Sequence, residues 1–318
     1  MHTQLASAIL MVRPSDFAYN EQTAADNEFQ HRPDELQGAE VLNRAIAEFD
    51  ASVAKLQTAG IEVLVLDKAF SSLKLGTMPD AVFPNNWLAT EEGGTVVVFP
   101  MATPNRRAEL EQLPTALALL QAHRFGIEET IHLAPANEDT YFLEGTGSLV
   151  LDRENRIAYA ARSVRTHGLQ LEAFIRQLGY KEAILFDTSS SKGLEFYHTN
   201  VMMSIGLEYA VVCAESIVAE ERERVLDSLE ANREVLYITL EQAEMFFCAN
   251  ILQITNQAGE PITVMSQSAY DGFLPEQIVW LQRFGQIVTL PIPTIEHVGG
   301  GSARCMMAEI FLPKQMSV

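Results

Sequence analysis

The sequence predicts an α/β fold in one domain, residues 1–318, made of five similar units that close into a propeller-like ring. Three observations carry this expectation. Five segments have helical apolar spacing, short β-branched runs follow and separate them, and no Pro/Gly-rich linker divides the chain. A closed ring of such units leaves no free sheet edge.

The first helix is expected over 39–58, where Val41, Leu42, Ala45, Ile46, Phe49, Val53 and Leu56 share a stripe. The others are expected over 106–123, 169–178, 220–231 and 275–284, each with apolar residues three or four apart, as a half-buried helix requires. A strand-like run follows each helix: IEVLVLD from 61, IHLA from 131, AILFD from 183, VLYITL from 235 and QIVTL from 286. Others lie between, among them TVVVFP, GSLVLD, RIAYA, NVMMSIG, YAVVCA, NILQIT and PITVM. The units recur roughly every fifty to sixty-five residues without sequence identity between them. Residues 14–38 follow neither period, and a stretch of that length is either a binding loop or lid, or a plain surface excursion.

The net charge of −20 argues against nucleic acid, whose phosphates recruit Lys and Arg, and against anionic membrane surfaces. Three cysteines, Cys213, Cys248 and Cys305, do not make a disulfide framework. The N-terminal apolar run, 8–12, is preceded by no basic n-region and is too short for a signal peptide or a span. A cytoplasmic location is expected, with a small molecule as partner and a homodimer as the expected assembly if the chain associates.

The sequence has no HExxH, CxxC or GxxxxGK[ST], so neither a metal nor a cofactor is expected. Three segments carry candidate chemistry. FLEGTGSLVLD sets Glu144 before a glycine turn and a strand. FYHTNVMMSIG sets His198 at the start of an apolar strand, with Asn200 on the same face. GGGSARCMM carries Cys305 behind a glycine run. Cys, His and Glu from distant segments are the parts of an activated-thiolate site. Taken singly, a lone His is a satisfied core or surface residue, and a lone Cys is a small buried hydrophobe. Cys213 and Cys248, in or beside apolar runs, read as core thiols.

Taken in order, DAVFPNNW (80–87), EGTGS (144–148), AARSVRT (160–166), YHTN (197–200) and GGGSARCM (299–306) resemble the guanidino-group modifying enzymes. These are the arginine deiminases, dimethylarginine hydrolases and amidinotransferases, and the similarity is nearest to the citrulline-utilisation hydrolase (CtlX-type) branch. The resemblance implies the pentein fold, a five-bladed ββαβ propeller. It implies Cys305 as nucleophile, His198 as general acid/base and Glu144 as the residue that orients it. It further implies that Arg165 grips a substrate α-carboxylate, a task suited to a planar fork, and that Asp80 stands at the amino-acid head. The glycines would let backbone approach the ligand. Arg304 receives no role; Asp187 and Asn20 are weaker neighbours.

The sequence departs from the arginine-processing pattern at two carboxylates. Asn86 stands where an F-x-x-D acid is expected, and Asn200 where an H-x-D acid is expected. A guanidinium offers donors only, and burying it uncompensated costs on the order of 3–5 kcal/mol. A ureido group is neutral and has an acceptor oxygen, which an Asn amide can satisfy. Citrulline, converted to ornithine, ammonia and carbon dioxide, is therefore the expected substrate. The alternatives are arginine deiminase, dimethylarginine hydrolase or amidinotransferase chemistry on a guanidinium, or a non-catalytic binding pentein.

Overall fold

The computed structural model describes residues 3–33, 38–67, 77–133 and 141–315. Its strands are Ala8–Val12 (β1), Glu62–Leu66 (β2), Leu88–Glu91 (β3), Thr95–Val98 (β4), Glu129–His132 (β5), Val150–Asp152 (β6), Ile157–Ala161 (β7) and Glu182–Phe186 (β8). Met203–Ile205 (β9), Tyr209–Val212 (β10), Glu234–Tyr237 (β11), Leu252–Thr255 (β12), Pro261–Ser266 (β13), Gln286–Leu290 (β14) and Ala308–Ile310 (β15) complete them. They form five three-stranded sheets: β15–β1–β2, β3–β4–β5, β6–β7–β8, β9–β10–β11 and β12–β13–β14.

Every sheet is wired alike. Its first two strands are antiparallel, and the third lies parallel to the second. A parallel return needs a crossover, and a helix supplies it each time: Gly38–Thr58, Leu113–Ala122, Gly168–Leu178, Ala219–Glu230 and Pro275–Gln282. This is the ββαβ blade. The ring shuts where β15, near the C-terminus, pairs with β1, with Ala8 opposite Ile310 and Leu10 opposite Ala308.

The first strands of the blades lie against one another around the axis, β15 beside β3, β6 beside β9 and β9 beside β12. They are buried almost throughout, while the outer strands β5 and β11 have no fully buried residue. Between blades the helices press apolar stripes inward: Val41, Ala45, Phe49 and Leu56 meet Ile254, Val264 and Leu290. Buried ion pairs join neighbouring blades at the far ends of the inner strands, Arg153 to Glu91 at 2.5 Å and Arg233 to Asp152 at 2.7 Å.

Two expectations need correction. Residues 106–123 are not one helix. Pro104–Arg107 is helical, Ala108–Gln112 is 3-10, and a new helix starts at Leu113, with Pro114 in its first turn where no N–H is required. The break turns the side chains of Arg106 and Glu109 into the protein. His198 and Asn200 do not share a strand face either. His198 caps a 3-10 turn, Thr199–Val201, and the strand begins only at Met203.

That turn belongs to a pattern. Each inner strand is preceded by a tight segment at the same end of the ring: Pro84–Asn86, Gly145–Ser148, Thr199–Val201, the turn at 248–250, and Ala303–Met306. These five segments carry the candidate site.

Candidate active site

Each blade delivers a polar side chain from its pre-strand segment: Asn86, Glu144, His198 with Asn200, Asn250, and Cys305. All are at most 2 % exposed. Asp80, Phe83, Asn86, Arg106, Arg165, Tyr197, His198 and Cys305 line one pocket, together with Asn27, Gly299 and Gly301. The chain thus brings together every site residue expected from the sequence: Asp80, Asn86, Arg165, His198 and Cys305 line the pocket, Glu144 bonds His198, and Asn200 meets the sulfur.

His198 Nε2 lies 2.9 Å from Glu144 Oε2. Burial pushes the Glu144 carboxyl upward, but Arg165, the His198 hydrogen bond and Arg106 outweigh it and hold it at about 2. Its other oxygen accepts the Ala102 N–H at 2.9 Å. Glu144 is therefore a carboxylate, and the proton in the contact belongs to Nε2. Burial pushes the imidazole down to about 4, against the pull of Glu144, so at neutral pH Nδ1 is a bare base. Gly147 makes room for this arrangement: a Cβ there would lie 2.3 Å from Asn86 Nδ2 and 2.7 Å from His198 Nδ1.

Cys305 Sγ receives Asn250 Nδ2 at 3.3 Å and Asn200 Nδ2 at 3.4 Å. Asn250 was not foreseen. Its only sequence signal is positional, a polar residue just before the strand run NILQIT. Arg106 was missed too, because its place in an expected amphipathic helix made it a surface charge. It is buried, with Nε and Nη2 on Glu109 at 2.9 Å each and Nη1 donating to Asn86 Oδ1 at 2.6 Å. Among the described residues, Asn86 Nδ2 and Asp80 Oδ1 are buried with no hydrogen-bond partner. Among the described residues the pocket therefore presents an unpaired donor at Asn86 and an unpaired acceptor at Asp80, beside the bare Nδ1 of His198.

Residues 14–33 are a built part of this site, not a surface excursion; the loop's remaining residues include 34–37, outside the described residues. Phe29 packs on Phe196, Tyr197 and Phe247. Asn20 and Thr23 donate to Asp80 Oδ2 at 2.7 and 2.9 Å, so Asn20 does border the site. Asp26 pairs with Arg165, whose Nη2 also donates to Thr23 O at 3.0 Å. The arginine expected to hold a substrate carboxylate thus holds the strap's own carboxylate. Asp187 is exposed, bonds Arg162 and takes no part.

The glycine run has a structural reason besides the ligand. Gly300 has φ +63°, and a Cβ there would meet the backbone N of Gln30 at 2.8 Å, so the strap can cross only over glycine. Arg304 turns away from the pocket to Glu309 and Met307 O. Cys213 and Cys248 are core thiols, and burial pushes them up to about 11 and about 12. Among the described residues no group of His, Cys, Asp and Glu is placed to hold a metal, and no helix is long and apolar enough to cross a membrane.

The fold is the pentein fold of thiol-dependent guanidino-group hydrolases. The profile of the family described as N,N dimethylarginine dimethylhydrolase, eukaryotic, matches residues 13–312, and the chain belongs to that family. Among solved structures it is similar to the product-bound N-terminal domain of ArgZ, an arginine dihydrolase from the ornithine-ammonia cycle in Cyanobacteria. Identity there is 17 %, the TM-score is 0.71, and the match covers 96 % of this chain and 99 % of that one. A variant of the same domain covalently bound to a reaction intermediate gives 17 % and 0.70, over 96 % and 99 % of the two chains. A dimethylarginine dimethylaminohydrolase variant in adduct with S-methyl-L-thiocitrulline gives 14 % and 0.66, over 96 % and 100 %. No curated protein matches the chain.

Proposed function

We propose that the chain is a ureidohydrolase of the citrulline-utilisation (CtlX-type) branch, converting citrulline or a close derivative to ornithine, ammonia and carbon dioxide. One observation carries this reading. Arg106 ties the carbonyl of the Asn86 amide, so that amide can offer the pocket only its N–H. A lone donor backed by a cation suits a ureido oxygen. It repels a guanidinium, which has only donors and a positive charge of its own.

Cys305 attacks the ureido carbon as its thiol proton passes to His198 Nδ1. Asn86 Nδ2 donates to the oxygen as negative charge develops there. His198 returns the proton to the departing nitrogen, ornithine leaves, and a carbamoyl group stays on sulfur. Water, deprotonated by His198, frees carbamate, which breaks down to ammonia and carbon dioxide. Asp80 Oδ1 is the acceptor for the α-ammonium, and Arg165 holds the α-carboxylate once Asp26 has moved aside.

The second reading, a guanidinium substrate, is favoured by the family description and by the arginine dihydrolase named above. Acid quench during citrulline turnover separates the two. Mass spectrometry should find a carbamoyl group on Cys305, and Cys305→Ala should be inert. An unmodified Cys305 together with an active Cys305→Ala enzyme would overturn the mechanism.

A further inference from the structure

We infer that Asn250 is a catalytic residue that stabilises negative charge on the Cys305 sulfur as its proton leaves, through a permanently oriented amide N–H. The inference rests on Cys305 being the nucleophile, but not on the identity of the substrate.

Two amides touch the sulfur, and they differ in freedom. Among the described residues, the Asn200 amide meets only Cys305 Sγ. It can turn to a ligand. The Asn250 amide cannot turn. Its Oδ1 accepts the Arg304 N–H at 3.0 Å, and its Nδ2 donates to the Asn200 carbonyl at 3.0 Å. A flipped amide would set oxygen against that carbonyl and NH2 against that N–H, leaving two buried clashes of like polarity. The second hydrogen of Nδ2 is therefore aimed at Sγ, 3.3 Å away, nearer than the 3.6 Å at which the thiol could donate to Oδ1, an acceptor already engaged by the Arg304 N–H.

A fixed donor favours the charged form of its acceptor. The site needs that help. The ionisable groups around the sulfur are Asp80, Arg106, Arg165, Tyr197, His198 and, behind the histidine, Glu144. Among the described residues none of these hydrogen-bonds Sγ, and both arginines are committed to carboxylates. His198 is neutral at neutral pH, so there is no imidazolium partner of the kind that usually activates a cysteine. Asn250 also links the nucleophile's turn to the turn bearing Asn200, so the position of the sulfur is set by two neighbouring blades at once.

The test is the pH dependence of Cys305 alkylation by iodoacetamide, located by peptide mapping, with Cys305→Ala as control. In Asn250→Ala the midpoint should rise by about one unit, with alkylation about tenfold slower at neutral pH and the limiting rate at high pH retained. Asn250→Asp should shift it further, because a carboxylate then faces the sulfur. If Asn250→Ala does not fold, Asn250→Leu, which keeps the side chain's bulk without its N–H and adds no charge, carries the test. A purely structural role would lower the melting temperature and leave the midpoint of the variant that lacks the amide N–H unmoved, which would overturn the inference. An unalkylated Cys305 in the wild type, beside an active Cys305→Ala enzyme, would instead remove the nucleophile reading.

Discussion

At Asn86 the deciding quantity is which end of an amide faces the pocket. Arg106 decides it, and the consequence is testable. Asn86→Asp replaces the lone donor by an acceptor and pairs it with Arg106. Loss of one oxyanion donor typically costs about 10²–10³ in kcat, so citrulline turnover should fall by that order while arginine affinity rises; steady-state kinetics with both amino acids checks it. His198 gives a second prediction. Its folded value of about 4 lies below the ordinary imidazole range. Between those values the unfolded chain binds more protons than the folded one, so stability declines as pH falls through that window, by roughly 3 kcal/mol for this group. Glu144, held at about 2, adds a loss at still lower pH. Thermal unfolding of His198→Gln from pH 7 to pH 4 should show a flatter decline than the wild type; an equal slope would refute the assignment. Sequence motifs reached Asn86, Glu144, His198 and Cys305 because each sits beside a recognisable turn. They missed Arg106 and Asn250, whose roles come from the direction of one side chain.

At the scale of elements, the strap 14–33 is the instructive piece. It has no period because its regular structure is a single 3-10 turn, Thr23–Ala25; it buries Phe17, Asn20, Thr23, Asn27 and Phe29 singly across the mouth of the pocket. Composition could not separate that from a solvated loop. Its Asp26 occupies Arg165 as a substrate carboxylate would. Removing that competitor by Asp26→Asn should lower KM for citrulline severalfold with little change in kcat. A raised KM would show that Asp26 holds the closed strap rather than competing with the ligand. The short helices Leu240–Phe246, Gln267–Gly272 and Pro293–Gly299 were not legible in the sequence. The crossover helices, by contrast, were legible from their stripes, except over 106–123. There Arg106 and Glu109, polar by sequence, face inward as a buried pair at 2.9 Å.

For the whole molecule, the five-unit rhythm was visible in the alternation of apolar runs and stripes. The closure was not, because β1 and β15 are short and sit at opposite ends of the chain. The ring matters to the site, since every blade contributes one pre-strand turn and no single blade holds a functional set. Inter-blade ties therefore bear on stability and geometry together. Arg233 and Asp152 are buried against each other, with side chains 2 % and 3 % exposed. Breaking the pair by Arg233→Met should cost about 3–5 kcal/mol in denaturant unfolding, with part recovered in Arg233→Met/Asp152→Leu.

The measurement that bears most directly on the central claim is amino-acid product analysis of the purified protein given citrulline and arginine separately, with Cys305→Ala as control. Ornithine from citrulline, none from the control and no product from arginine is the predicted result. Citrulline or ornithine formed from arginine would contradict the specificity assigned to Asn86 and Arg106, and would place the chain with enzymes that act on guanidinium groups.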